Sequence, residues 1–177
     1  MNRLLKISFS AVISALIISI MLLSYLPNLT YAVAAFAALL VAVVMIELGS
    51  KWAVLVFAVT AVVSFFAAEN DAKIVYCLFF GYYPILKGVI ERHVDNKAAE
   101  WLAKIALFNL AAVSISLVFV FFFNIEPKAF FDSLKYAVWA VAIGINLVFV
   151  VYDICFTRLV SLYFRRLHSR VKRFLIR

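Results

Sequence analysis

Six long runs of apolar residues, separated by short polar segments, constrain the fold of this chain more than any other feature. The runs cover residues 7–26, 30–47, 52–68, 73–90, 101–124 and 134–154. Each has roughly the 17–25 residues that a helix needs to cross a bilayer. The runs are continuous rather than alternating, which excludes the strands of a membrane barrel. The sequence therefore predicts an all-α integral membrane protein, a compact bundle of six transmembrane helices.

The composition agrees with this interpretation. The chain has 177 residues, of which 68% are hydrophobic, and a soluble domain of this size has too little interior for so much apolar surface. A secretory signal peptide is the alternative for the first run. That run is longer than a signal core and meets the segment "LPNLT" instead of a small-residue cleavage site, so we interpret it as a retained first span.

The distribution of lysine and arginine orients the bundle. Of the 17 Lys and Arg residues, 14 fall on the side that carries both chain ends, and only Lys73, Lys128 and Lys135 fall on the other side. Positive residues accumulate in cytoplasmic loops. Both termini are therefore predicted to be cytoplasmic, with the loops at 27–30, 69–73 and 125–133 outside, as in a multi-pass protein of a bacterial-type cell membrane.

The end of the chain has a different pattern from the spans. Apolar residues recur every three or four positions between arginines from Thr157 to Phe174, which is typical of a basic amphipathic helix. We expect residues 156–177 to form such a helix on anionic lipid at the cytoplasmic surface, following a transmembrane domain of residues 1–155. Nucleic-acid binding is not expected, because the apolar stripe needs a surface to cover it.

The fourth run contains the segment "FFGYYPILKGVIER", in which glycine, proline and lysine lie close together. Pro84 removes a backbone donor and Gly81 permits close approach of a neighbour, so we predict a structural kink at these two residues. Lys87 is expected near the cytoplasmic surface. The kink is either purely architectural or shapes a cavity or a partner contact.

Polar residues inside the spans are the first place to look for function, since they are costly in lipid. Asn109 and Asn146 are predicted at similar depth on the fifth and sixth helices, either as an interhelical amide pair or as ligand-binding groups. Asp153 is the only carboxylate in the body of a helix. It is either in an ion pair with Arg158, Lys87 or Lys104, or part of a proton relay.

Further polar groups lie at the predicted outer ends of the helices. Loops that converge above an apolar bundle can close over a small molecule, although they can also be ordinary solvated loop tips. The predicted substrate-binding residues, including the two asparagines above, are Asn28, Asn70, Lys73, Tyr76, Asn109, Asn124 and Asn146.

Enzymatic patterns are missing from the sequence. Both histidines lie outside the spans, and there is no phosphate-binding glycine loop. We therefore predict a protein that is not an enzyme and that uses neither a metal nor a cofactor. Any active transport must draw its energy from a partner or from an ion gradient.

Small residues form faces on the first two helices. Ala11 and Ala15 make a small-xxx-small pair on the first helix, and Ala34, Ala38 and Ala42 repeat the spacing on the second. Such faces let another helix come close. The helix that packs on Ala11 and Ala15 is either internal or belongs to a partner protein.

Six helices in under 200 residues, both termini inside, and the Ala11–Ala15 pair together resemble the S components of energy-coupling factor (ECF) transporters. The hairpin "IELGSKWAVL" and the "FFGYYPILKGVIER" segment also look like that family, and the resemblance spans about residues 7–155. It implies a subunit that captures a small solute from outside, with the substrate in the outer half of the bundle. It also implies a transmembrane coupling protein and two ATPases as partners, with Ala11 and Ala15 facing the coupling protein.

Two other functions remain open. The six-helix shape is also similar to MreD-like proteins of the cell-elongation machinery, which act as scaffolds and transport nothing. An ion-coupled carrier is the third possibility, with Asp153 as its only candidate relay. A solute-binding protein needs convergent polar groups beneath its outer loops, whereas a scaffold needs partner faces and little interior polarity.

Overall fold

The computed structural model describes residues 3–123, 138–166, 168 and 171, without the side chains of residues 122, 123, 138 and 139. Every regular element within these residues is helical. The helices are α1 (Arg3–Leu22), α2 (Thr30–Leu48), α3 (Ser50–Ala67), α4 (Asn70–Val75), α5 (Tyr83–His93), α6 (Lys97–Phe123) and α7 (Val138–Arg166). A 3₁₀ turn at Leu23–Tyr25 follows α1, and a π-helical turn at Tyr76–Phe80 separates α4 from α5.

Six helical spans among these residues are long and apolar enough to cross a membrane. The fourth span, Asn70–His93, is composed of α4, the π-helical turn and α5. The six predicted runs therefore correspond to the six observed spans, and the predicted all-α class is confirmed for the described residues. The predicted loop at 125–133 and residue Asn124 lie outside them.

The connections on either side of α2 show how the spans reverse direction. Gly49 alone separates α2 from α3 and has a φ of 91°, a conformation that glycine adopts without steric cost. At the other end of α2, Asn28 follows Pro27 with a φ of 65°, and asparagine is among the few other residues that tolerate this region. Both reversals are tight, so α1, α2 and α3 form consecutive antiparallel hairpins.

The core of this N-terminal part consists of small side chains. Ala34, Ala37 and Val41 on α2 are fully buried, as are Ala53 and Val56 on α3. Small residues allow helix backbones to approach closely where lipid offers no hydrophobic drive for packing. The predicted small-residue face of α2 at Ala34, Ala38 and Ala42 is therefore internal.

The C-terminal part packs differently. Phe79 and Tyr83 from the fourth span meet Phe108 on α6 and Phe149 on α7, and the last two rings stack with their centroids 4.5 Å apart. Helix α2 contacts α1, α3, the fourth span and α7. It therefore joins the two parts of the bundle. The aromatic cluster fills the space between α5, α6 and α7.

Large apolar side chains cover the outside of the bundle. Phe66 and Phe121 are more than 80% exposed, and many leucines and valines on the spans are about half exposed. A water-soluble protein rarely presents contiguous apolar surface on this scale. These side chains are accounted for if they face lipid.

Helix α7 continues without interruption to Arg166. The predicted boundary between a transmembrane domain ending at 155 and a separate tail helix therefore falls within a continuous helix. At about 1.5 Å per residue, its 29 residues span about 43 Å, more than the roughly 30 Å of a hydrocarbon core. The first turns of the predicted tail thus extend the last span, and most residues beyond 166 lie outside the described part of the chain.

Candidate functional site

An apolar cavity of about 610 Å³ lies between α2, the fourth span, α6 and α7. Tyr31 in the first turn of α2 and Ile115 on α6 place it toward the end of the bundle opposite to the one where most Lys and Arg residues lie. We call these the polar-loop end and the basic end. Six of the thirteen residues that line it are aromatic, namely Tyr31, Phe79, Phe80, Phe108, Phe149 and Tyr152.

The break in the fourth span gives the cavity two of its aromatic side chains. The Gly81 amide donates to the Tyr76 carbonyl at 2.8 Å, a bond across five residues that widens the helix. Pro84 lies in the first turn of α5, where its missing amide hydrogen has no cost. Phe79 and Phe80 lie in the widened turn, and both line the cavity.

Gly81 is required at this break because another helix passes close by. A Cβ atom at Gly81 would overlap the Phe57 ring of α3 and would lie 2.9 Å from the Tyr76 carbonyl oxygen. The widened turn covers Tyr76–Phe80. Gly81 and Pro84, the two residues predicted to kink the helix, follow it in the sequence.

A cluster of charged side chains lies on the basic side of the aromatic wall. Asp153 of α7 is 2% exposed, and its Oδ1 accepts hydrogen bonds from the Tyr83 hydroxyl and from Lys87 Nζ. Lys104 Nζ of α6 lies 3.4 Å from Asp153 Oδ2. The carboxylate thus joins α5, α6 and α7 at one point, and both lysines are themselves buried.

Two further carboxylates connect this cluster to the surface at the basic end. Glu91 Oε1 lies 2.8 Å from Lys87 Nζ and 2.6 Å from Lys104 Nζ, and Glu100 Oε1 lies 2.6 Å from Lys104 Nζ. With two lysines and three carboxylates, the cluster has a formal charge of −1. Its ionic groups are paired with one another, as buried charges must be.

The sequence predicted part of this cluster. Asp153 is in an ion pair, and its partners among the described residues are Lys87 and Lys104, not Arg158. Tyr83, Glu91 and Glu100 were missed. The signal was available, because Tyr83, Lys87 and Glu91 follow one another at four-residue spacing and share one helix face.

Asn109 and Asn146 face each other across α6 and α7. Each side-chain amide donates to the carbonyl oxygen of the other, at 3.0 and 3.2 Å. Each also donates to the backbone carbonyl four residues earlier on its own helix. Of the two alternatives for these residues, the structure contains the interhelical amide pair, which uses the donors of both side chains and lies outside the cavity wall.

The other predicted substrate-binding residues do not converge on the cavity. Asn28 and Asn70 are exposed, and Lys73 Nζ lies 5.1 Å from the centre of the Phe65 ring. Tyr76 is fully buried and its hydroxyl is 2.8 Å from Thr60 Oγ1 of α3. None of these four residues lines the cavity, and Asn124 lies outside the described residues.

A different set of polar groups connects the loops at the polar-loop end. Thr30 Oγ1 donates to Glu69 Oε2 at 2.9 Å, and the Glu69 amide donates to Ser24 Oγ at 3.1 Å. These bonds tie the connection between α1 and α2 to the start of α4. Glu69 and Thr30 therefore have a structural role at the polar-loop end.

Ala11 and Ala15 are exposed on the surface of the bundle. They lie in a groove of about 760 Å³ between α1 and α3, with Leu55 and Val59 on the opposite wall and Arg3 and Lys51 at its basic end. We call this the α1–α3 groove. Of the two alternatives for the alanine pair, internal packing does not occur among the described residues.

The extension of α7 is attached to the end of α2. The Glu47 side chain is 3% exposed and accepts hydrogen bonds from the Tyr163 hydroxyl at 2.6 Å and from the His168 ring at 2.8 Å. His168 lies 121 residues from Glu47 in sequence, and no sequence pattern indicated this contact, because Glu47 is the last residue of its apolar run and Tyr163 and His168 lie beyond the end of the last run.

Among the residues that the structure describes, no group of three or more histidine, cysteine, aspartate or glutamate side chains could hold a metal ion. Comparison with protein-family models, with characterised proteins and with solved structures gives no match. The function of this chain must therefore be inferred from its own geometry, in which the aromatic cavity and the charged cluster beside it are the main features.

Proposed function

We propose that this chain is a substrate-capturing subunit of a membrane importer, comparable in role to an ECF S component, and that it holds a mostly apolar small molecule. The observation that carries the proposal is the aromatic cavity toward the polar-loop end. Its volume is within the usual range for small-molecule sites, which are concave and mainly apolar. With both termini cytoplasmic, that end of the bundle faces outward and the cavity takes its ligand from outside.

The wall of the cavity favours an apolar or aromatic ligand over a polar solute. Phe108 and Phe149 stack against each other beside it, and aromatic rings prefer stacked or edge-on contacts with other rings. The asparagines that a polar ligand would need are engaged elsewhere, in the amide pair and at the surface. The proposed substrate is therefore an apolar or aromatic molecule, and not the polar solute that the polar residues at the helix ends alone would indicate.

The charged cluster closes the path toward the basic end. Tyr83 contacts Phe79 and Phe149 of the cavity wall through its ring and binds Asp153 through its hydroxyl. A ligand leaving toward the cytoplasm must separate these groups. No phosphate-binding motif is present in the sequence, and in this proposal a partner protein supplies the energy for that step.

The ligand test compares two substitutions one residue apart on α6. Ala112 lines the cavity, whereas Val113 is 58% exposed and lies outside the wall. The wild type and the Ala112→Phe and Val113→Phe variants are purified in mild detergent, and their co-purifying small molecules are identified by mass spectrometry. We expect an apolar molecule in the wild type and in Val113→Phe, and at least about tenfold less in Ala112→Phe. Equal amounts in all three samples, or none in any, would contradict the proposal.

A scaffold role comparable to MreD-like proteins is the second candidate, favoured by the exposed Ala11–Ala15 pair. A pull-down of the tagged chain from its native membrane separates the two. A coupling protein with two ATPases supports the importer. Proteins of cell elongation without ATPases, together with an empty cavity, support the scaffold.

A further inference from the structure

The α1–α3 groove has a charge pattern that the proposed function does not use. Arg3 and Lys51 are both exposed at its basic end, and neither has an ion-pair partner among the described residues. The buried lysines of the charged cluster, Lys87 and Lys104, are in contrast paired with carboxylates. Two unpaired cations at one mouth of an apolar groove attract an anionic group.

The rest of the groove is apolar along its length. Ala11, Ala15 and Ile18 of α1 form one wall, and Leu55 and Val59 of α3 form the other. The alanines create the depression because their side chains are shorter than those of their neighbours. The apolar part of the groove runs along α1 and α3 from the basic end toward the middle of the spans. A long, narrow apolar groove of this kind can hold an acyl chain.

Two further residues occur where the polar and apolar parts of the groove meet. Trp52 lines the groove next to Lys51, and tryptophan favours the level of the lipid headgroups. Ser10 also lines it, is 4% exposed, and its hydroxyl has no hydrogen-bond partner within the described structure. It lies about 10 Å deeper than Arg3 along α1, below the headgroups, where the ester groups of a lipid offer acceptors.

From this arrangement we infer that the α1–α3 groove is a binding site for an anionic phospholipid of the cytoplasmic leaflet. The phosphate lies between Arg3 and Lys51, and an acyl chain lies along Ala11, Ala15 and Leu55. Basic pockets between helices on the cytoplasmic side are suited to such headgroups. The inference is independent of the aromatic cavity, which lies between α2, the fourth span, α6 and α7 and shares no lining residue with the groove.

The headgroup test uses the purified full-length chain with phosphatidylglycerol or phosphatidylcholine as the probe. Native mass spectrometry counts the lipids retained per chain. We expect one phosphatidylglycerol to be retained preferentially, and at least fivefold less of it in an Arg3→Gln/Lys51→Gln double variant. The matched control is Arg92→Gln/Lys97→Gln, which removes the same charge from exposed positions at the same end and is expected to bind like the wild type.

The groove test fills the acyl-chain part. Ala15→Trp is expected to lower phosphatidylglycerol retention, whereas Val12→Trp, at an exposed position outside the groove, is expected to leave it unchanged. Thermal unfolding without added lipid verifies that each variant is folded. Equal loss in both charge variants, or equal retention of the two lipids, would overturn the inference. So would a co-purifying membrane protein that is lost only in Ala15→Trp, because a protein helix would then occupy the groove.

Discussion

The two ends of the sequence build their halves of the bundle by different means. In α1–α3 the buried side chains are mostly alanine and valine, and the helices are held by close approach. In α5–α7 the helices are joined by contacts between aromatic rings, by one amide pair and by one charged cluster. The first half has little room for a ligand inside it, and the second contains the cavity. If the cavity binds a ligand as proposed, the N-terminal half is the support and the C-terminal half is the part that must rearrange for release.

The largest expected effect follows from removing Asp153. An Asp153→Ala variant removes the buried carboxylate from Lys87 and Lys104, which keep only the more exposed Glu91 and Glu100 as partners. Removing one member of a buried ion pair costs about 3–5 kcal/mol of unfolding free energy. Denaturation of the detergent-solubilised protein measures the loss. Asp95→Asn, at an exposed loop position, is the control and should change stability little. A loss no larger than that of the control would mean that the cluster does not hold the C-terminal half together.

The second prediction concerns Gly81, where the two halves meet. Gly81→Ala forces the Phe57 ring of α3 to move and crowds the Tyr76 carbonyl oxygen, which corresponds to overpacking at about 1–3 kcal/mol. Gly144→Ala on α7 is the matched control, because a Cβ there meets nothing within 4 Å. Thermal unfolding of both variants compares them. If the two alanines behave alike, the close contact between α3 and the broken fourth span is not a constraint.

A third substitution tests the small-residue half directly. Ala53 is fully buried, so Ala53→Leu should push α3 away from its neighbours, again at a cost of about 1–3 kcal/mol. Val54→Leu, which is half exposed on the same helix turn, should be neutral. Because the expected damage is confined to α1–α3, ligand retention in the folded fraction should stay close to that of the wild type. Loss of ligand without loss of stability would show that the N-terminal half is not only a support.

The smallest effect is expected for the amide pair. Asn109→Leu removes the bonds to Asn146, but Asn146 still donates to the Ala142 carbonyl, so little is left unpaired. Interhelical hydrogen bonds in membranes contribute about 0.6 kcal/mol on average. A double-mutant cycle with Asn146→Leu measures the coupling. A coupling energy well above about 2 kcal/mol would place this pair beside the charged cluster in importance.

Sequence patterns predicted the spans closely and the site only in part. Periodicity and run length located α2 at 30–47 against the observed Thr30–Leu48, since the cost of polar groups in lipid defines where a span ends. For Asp153, the sequence predicted three possible ion-pair partners, and two of them, Lys87 and Lys104, are observed. A cavity shaped by the kink was one of the predicted alternatives, but its aromatic wall was not predicted, because phenylalanines in an apolar run do not differ from lipid-facing residues until the π-helical turn gives Phe79 and Phe80 their positions.

The polar residues at the polar-loop end show why depth alone does not define a site. Asn28, Asn70 and Lys73 lie near one another in the predicted topology, yet Asn28 has the backbone conformation of a turn, Asn70 is the first residue of α4, and the Lys73 ammonium contacts the Phe65 ring. Proximity in depth says nothing about which helix face a residue occupies. Tyr76 illustrates the same limit, since its hydroxyl bonds inward to Thr60 and not toward the loops.

The uninterrupted course of α7 has a mechanical consequence. One rigid helix carries Asn146, Asp153 and Tyr163, which contact α6, the α5–α6 pair and the end of α2. Its shift along its own axis would disturb all three attachments at once, over a distance of about 25 Å. Because Phe149 and Tyr152 of the cavity wall lie on the same uninterrupted helix, a displacement of α7 at Tyr163 would be transmitted to the cavity along one continuous element.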